Sequence, residues 1–117
     1  MKRILSDHCT PRKAARFLQT LYAVTESHTR GWAQLRNGDL LREAETAGFD
    51  ILLTTDKNMS SQQNMAGRPI AVVVLGAQEW PLIEAYIERV VAAIDAATPG
   101  SFAFVEIPLP PKKPYQQ

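Results

Sequence analysis

Hydrophobic positions fall into two kinds of stretch that alternate along the chain. Short uncharged runs are separated by longer segments in which apolar residues recur every three or four positions. Ile51, Leu52 and Leu53 run into Thr54 and Thr55, and Ile70–Leu75 (IAVVVL) carries no charge. Runs of this kind predict strands covered on both faces of a parallel sheet, here Asp50–Thr55 and Ile70–Leu75. Residues 2–6, with Ile4 and Leu5, predict a first strand, and Tyr22–Glu26 alternates as a second. Phe102, Phe104, Val105 and Ile107 predict a last one.

Helical spacing fills the intervals. Thr10-Pro11 predicts an N-cap and first helical position, followed by Ala14, Ala15, Phe17, Leu18 and Leu21 on one face. Asn37-Gly38 predicts a turn, with Asp39 in the first turn of a helix that carries Leu40, Leu41, Ala44 and Ala47 and stops at Gly48. Residues 79–97 predict one long helix with Leu82, Ile83, Tyr86, Ile87, Val90, Val91 and Ile94 as its apolar set. Ser60–Pro69 is polar and predicts a loop or a short helix.

Strands alternating with helices imply an α/β fold: a three-layer α/β/α sandwich around a mainly parallel sheet, with right-handed crossovers. The 117 residues fit one domain, residues 1–107, followed by a proline-rich tail, residues 108–117, expected to be extended. A net charge of +1 gives no mandate for nucleic acid or membrane. Arginines crowd the first 42 residues, and solvated surface charge is the simplest account of them. One cysteine, Cys9, excludes an internal disulfide and a cysteine zinc site, and fits a reducing cytoplasm. Neither a signal peptide nor an apolar run of membrane-spanning length is visible, so a cytoplasmic protein with no membrane partner is expected.

Candidate chemistry gathers at one edge. Asp7 follows the first strand, Asp56 follows the third, and Asp39 begins the helix that feeds the third. Carboxyl ends of parallel strands share an edge, and ligands bind there in open α/β sheets. Three carboxylates meeting without an interposed base suit Mg²⁺ or Mn²⁺, ions that activate water against a phosphodiester. Taken singly, Asp56 equally reads as a cap on the turn through Asn58. His8 reads as a ligand, a proton carrier or a solvent-facing loop residue; Cys9 as a small buried residue. Trp32 and Trp80 read as stacking platforms or as packing against the sheet. Glu43 and Glu45 belong to a solvated helix face or supply a further ligand.

Three stretches carry a family resemblance. Ile4-Leu5-Ser6-Asp7-His8-Cys9-Thr10-Pro11-Arg12 is similar to a strand followed by "LDENLPR" or "LDHCVPR". Gly31-Trp32 with Asn37–Leu41 is similar to "GW…NGELL". Phe49–Asn58, then Gln62-Gln63-Asn64 and Gly67-Arg68, resembles "FDVLLTTDKNLxxQQNLxGR". Together they resemble the PIN-like nuclease superfamily, and within it the small bacterial proteins of the DUF5615 type, over residues 3 to 107. The resemblance implies a Mg²⁺- or Mn²⁺-dependent ribonuclease, with RNA as substrate. It further implies the toxin of a toxin–antitoxin pair, a small antitoxin partner and a homodimer.

Carried over, Asp7, Asp39 and Asp56 are the catalytic and metal-binding acids. Thr54, Lys57, Asn58, Gln63, Asn64 and Arg68 are the substrate-binding residues, with Gln62 beside them. The family pattern also carries a helical Glu between the first and third acids. This chain has no equivalent, since Glu26 falls at a strand end. That departure keeps a second reading open, a binding or regulatory module without efficient catalysis. A phosphoacceptor receiver domain is a third, although it needs an acidic pair where Asp7-His8 stands and a Lys-Pro closer to the last strand than Lys113-Pro114.

Overall fold

The computed structural model describes residues 2–59 and 64–108. Among them, β1 (Arg3–Ser6), β2 (Ala23–Glu26), β3 (Ile51–Thr54), β4 (Ala71–Leu75) and β5 (Phe102–Val105) form one all-parallel sheet in the order β2-β1-β3-β4-β5. This is the order of doubly wound flavodoxin-like sheets, receiver domains included. The α/β architecture expected from the sequence is therefore present, with a fully parallel sheet between helices. The predicted tail lies outside the described residues from 109 onward, as do residues 60–63 of the polar Ser60–Pro69 segment.

Helices that lie wholly within the described residues are α1 (Arg12–Gln19), α2 (Asn37–Thr46), α3 (Trp80–Ala85) and α4 (Ile87–Ala96), with a 3-10 turn at Ser27–Arg30. Strand residues divide between two cores, as the two-residue period of a pleated strand requires. Ile4, Ile51, Leu53, Ala71, Val73 and Leu75 pack with Leu18 of α1, Ile83 of α3, and Val90 and Ile94 of α4. Leu5, Leu52, Val72 and Val74 face the other way, onto Leu40, Leu41 and Ala44 of α2 and onto Met59. All of these residues are buried, which is why β3 and β4 read as continuous apolar runs rather than alternating ones.

Three boundaries differ from the sequence reading. Pro11, not Thr10, is the N-cap of α1, because the Thr10 hydroxyl is turned to the Leu53 carbonyl at 3.4 Å. Asn37-Gly38 is no free turn but the first two residues of α2. The long helix is broken at Tyr86, whose φ of −123° and ψ of 28° separate α3 from α4. No Pro or Gly marks that break, and only the Arg89 guanidinium, 4.7 Å from the Tyr86 ring centre, accompanies it.

The crossovers also depart from a uniform hand. β1 reaches β2 on one side through α1, whereas β2–β3 and β3–β4 step the other way with α2 and Met59 on the opposite face. Those connections share one hand. The β4–β5 connection steps in the same direction as β3–β4, yet α3 and α4 pack on the face of α1. Its hand is opposite to the others, so the expectation of right-handed crossovers throughout fails there. Burial supplies a physical reason. The eight residues of α1 cannot cover five strands, and Trp80 meets Phe17 of α1 with ring centres 6.2 Å apart to complete the layer.

Basic residues near the N-terminus do structural work. Lys2 Nζ donates to the carbonyls of Ile94, Asp95 and Ala97 at the end of α4, where the helix leaves acceptors unpaired. Arg3 Nη1 does the same for Ala47 and Gly48 after α2 and lies over the Phe49 ring. Tyr22 donates to Asp95 Oδ1 at 2.6 Å; burial first and Asp95 second push its phenol up to about 12.

Candidate functional site

Asp7 leaves β1 still in the ladder, its N–H donating to the Leu53 carbonyl at 2.8 Å. The chain then folds back at once, because Thr10 N–H closes a turn onto the Asp7 carbonyl at 2.9 Å. That turn brings His8 and Cys9 around the Asp7 carboxylate. His8 N–H donates to Oδ1 at 2.7 Å, and His8 Nδ1 lies 2.9 Å from the same oxygen. Cys9 Sγ–H donates to Oδ2 at 3.3 Å. The Asp7 side chain is 4% exposed and that of His8 53%, so the carboxylate is buried with an open ring beside it.

β3 supplies the other wall. Thr54 is fully buried, and its hydroxyl donates to Asp7 Oδ2 at 2.8 Å while accepting the Asp56 N–H at 3.0 Å. One hydroxyl thus links the strand-end acids of β1 and β3, using its donor and an acceptor together. Thr55 completes the join by donating to the Cys9 carbonyl at 3.1 Å. Asp56 accepts Asn58 N–H on Oδ1 at 2.9 Å and Asn37 Nδ2–H on Oδ2 at 3.1 Å. Asp56 therefore caps its turn, and it also lines the crevice at this edge.

Asp56 separates two clefts at this edge. One of about 520 Å³ is lined by Cys9, Thr55, Asp56, Lys57, Gly76 and Glu79, among others. The second, about 480 Å³, is bounded by His8, Gln34, Arg36, Asn37, Asp56 and Asn58. Strands β1 and β3 flank the point where the chain reverses direction across the sheet, the usual place for a ligand crevice in this topology. Gly76 keeps the first cleft's wall closed. A Cβ there would lie 3.0 Å from the Val105 carbonyl and 3.1 Å from the Ile107 nitrogen.

The expected site is only partly assembled. Asp7, Thr54 and Asp56 meet, and Lys57 and Asn58 line the clefts. Asp39 does not join them: its carboxylate, 56% exposed on α2, is paired with Arg42 one turn on. The three-carboxylate convergence read from topology consequently does not form, because an i,i+3 arginine engages the third acid first. Asn37, two residues earlier, makes the contact from α2 instead.

Arg68 is further away. It precedes β4, at the opposite edge of the sheet, and pairs with Glu45 near the end of α2 at 2.7 Å. Asn64 holds the same segment, its carbonyl accepting Arg68 Nε–H at 2.8 Å. Neither residue is among those lining the two clefts, since both stand just before the start of β4, at the other edge of the sheet. Glu45 is likewise committed to Arg68. Gln62 and Gln63 lie outside the described residues. Trp80 packs on Phe17 and Trp32 stands edge-on to Phe49, both as core packing.

Among the described residues, the one group of three metal-ligating side chains whose donor atoms lie within 4.8 Å of each other is Asp7, His8 and Cys9, a cluster able to hold a metal ion. Sequence reasoning read Cys9 only as a small buried residue and Asn37 only as part of a turn. The signal for Cys9 was its place in a turn directly after a strand-end acid. Burial and the Asp7 charge push the Cys9 thiol up, against the Thr55 hydrogen bond, so without a cation it is a poor thiolate nucleophile. No helix of the described residues is long and apolar enough to cross a membrane. Family models, curated proteins and solved structures offer no match to this chain.

Proposed function

We propose that this chain is a divalent-cation-dependent hydrolase of RNA phosphodiesters, working at the carboxyl ends of β1 and β3. The observation that carries the reading is the Thr54 hydroxyl joining Asp7 to Asp56 between two clefts at the switch point of the sheet. Mg²⁺ or Mn²⁺ is the proposed cofactor, and a bound cation of this kind activates water and offsets the charge of a leaving oxygen. Either ion suits a centre built on the carboxylate oxygens of Asp7 and Asp56. Asp7 is the buried anchor; Asp56 orients groups in either cleft; Lys57 and Asn58 contact the phosphate backbone. A toxin role with an antitoxin partner, and a homodimer, belong to this proposal through the family resemblance.

A second reading is a PIN-like module that binds RNA without cleaving it. It is favoured by the Asp39–Arg42 pair, which leaves only two of the three expected aspartates, Asp7 and Asp56, together at the crevice. The receiver reading shares the strand order, but His8 stands where its second acid is needed.

Calorimetric titration with Mn²⁺ tests the cation site. Wild type is expected to bind, and Asp56→Asn to lose most of that binding, on the order of the ten- to hundredfold typical of groups around a metal. Equal, negligible heats from both proteins would count against the hydrolase.

A further inference from the structure

We propose that Asp7, His8 and Cys9 form a three-ligand transition-metal site, selective for Zn²⁺-class ions over Mg²⁺, with its fourth position open to the clefts. The donor set is the first reason. A carboxylate oxygen, an imidazole nitrogen and a thiolate sulfur make a borderline-soft set that suits Zn²⁺ or Co²⁺, whereas Mg²⁺ requires oxygen ligands in an octahedron.

The spacing is the second reason. Tetrahedral Zn²⁺ with metal–ligand bonds of about 2.0–2.3 Å separates neighbouring ligand atoms by roughly 3.3–3.6 Å. Here His8 Nδ1 lies 2.9 Å and Cys9 Sγ 3.3 Å from Asp7 oxygens, and the three donor atoms fall within 4.8 Å of one another. Small side-chain adjustments open these contacts to coordination distance. The turn closed by Thr10 N–H on the Asp7 carbonyl supplies this convergence from three consecutive residues.

Support and access are the third. Thr54 holds Asp7 Oδ2 from behind, the outer hydrogen bond that orients a ligating carboxylate. Cys9 lines the first cleft and His8 the second, so an ion and a fourth ligand reach the cluster from solvent. Asp56 lies outside the donor set. The site shares Asp7 with the proposed hydrolytic centre but does not rest on hydrolysis. On metal binding, Cys9 gives up its thiol proton to solvent and becomes the thiolate ligand.

Competition of Zn²⁺ against a chromogenic chelator, together with the visible and near-ultraviolet spectrum of the Co²⁺-loaded protein, tests this. Wild type and Asp56→Asn should bind Zn²⁺ alike, at least a hundredfold more tightly than Mg²⁺. Cys9→Ser should bind Zn²⁺ at least tenfold more weakly, and its Co²⁺ spectrum should lack the sulfur-to-metal charge-transfer band that wild type shows. His8→Gln should weaken Zn²⁺ binding while keeping that band. Circular dichroism confirms that each variant is folded. Zn²⁺ affinity unchanged in folded Cys9→Ser, or no charge-transfer band in wild type, overturns the proposal. RNA cleavage persisting with Mn²⁺ in that case leaves the hydrolase standing, whereas Zn²⁺ binding without cleavage under any metal sinks the hydrolase alone.

Discussion

Asp7→Asn is expected to lower the rate of RNA hydrolysis on the order of a hundredfold, the upper end of what disturbing a metal's surroundings costs. The substitution keeps the shape of the side chain and removes its charge. Asp7 is the one acid at the crevice that is almost wholly buried, and Thr54, His8 and Cys9 all engage its two oxygens. An amide in its place offers one oxygen instead of two and cannot hold a cation by charge. The fold should survive, because the Thr54 hydroxyl can rotate to accept from the new N–H group. Single-turnover cleavage of RNA by wild type and variant, with circular dichroism on both, measures this. A variant as active as wild type would remove Asp7 from the site.

The second large effect concerns the strand that delivers Thr54 and Asp56. Leu53→Ala should destabilise the protein by about 3 kcal/mol, the middle of the range for buried leucines. Leu53 is fully buried against Ile4, Val73 and Ile83, and its carbonyl accepts the Asp7 N–H. A cavity there would loosen the join between β1 and β3 as well as the core. Since small domains are held by roughly 5–15 kcal/mol, urea denaturation should show a clearly lowered midpoint. A midpoint shift equivalent to less than about 1 kcal/mol would mean that the site rests on some other support.

What the sequence carried, and what it did not, follows the range of the interactions involved. β3 and β4 were legible because strands buried on both faces have no reason to alternate, and Ile70–Leu75 could be little else. Asp7 and Asp56 were legible because a parallel sheet brings the carboxyl ends of its strands to one edge whatever the strand order. Asp39 misled for the opposite reason. Topology brought its backbone to that edge, but a side chain answers to its nearest partner, and Arg42 at i+3 was present in the sequence to be read.

Arg68 could not be located without the path of the chain from β3 to β4. Motif proximity to Asp56 suggested the crevice, while the structure sends it to Glu45 across the sheet. The hand of the β4–β5 connection was also beyond reach, because it is decided by which face is left uncovered once α1 and α2 have packed. Cys9 and Asn37 lay in plain view. Their roles depend on a turn closed by Thr10 and on a helix that begins at Asn37 itself, two residues earlier than the Asn37-Gly38 turn suggested.

Cation-dependent cleavage of RNA at the crevice between β1 and β3, the proposed function, is directly measurable. The most direct measurement is incubation of the purified full chain with a mixed RNA pool in Mn²⁺, with and without excess EDTA, and with Mg²⁺ or Zn²⁺ in parallel. Discrete cleavage products are expected with Mn²⁺ and should disappear when EDTA is added. RNA left intact under every metal, by a folded protein, would contradict that function.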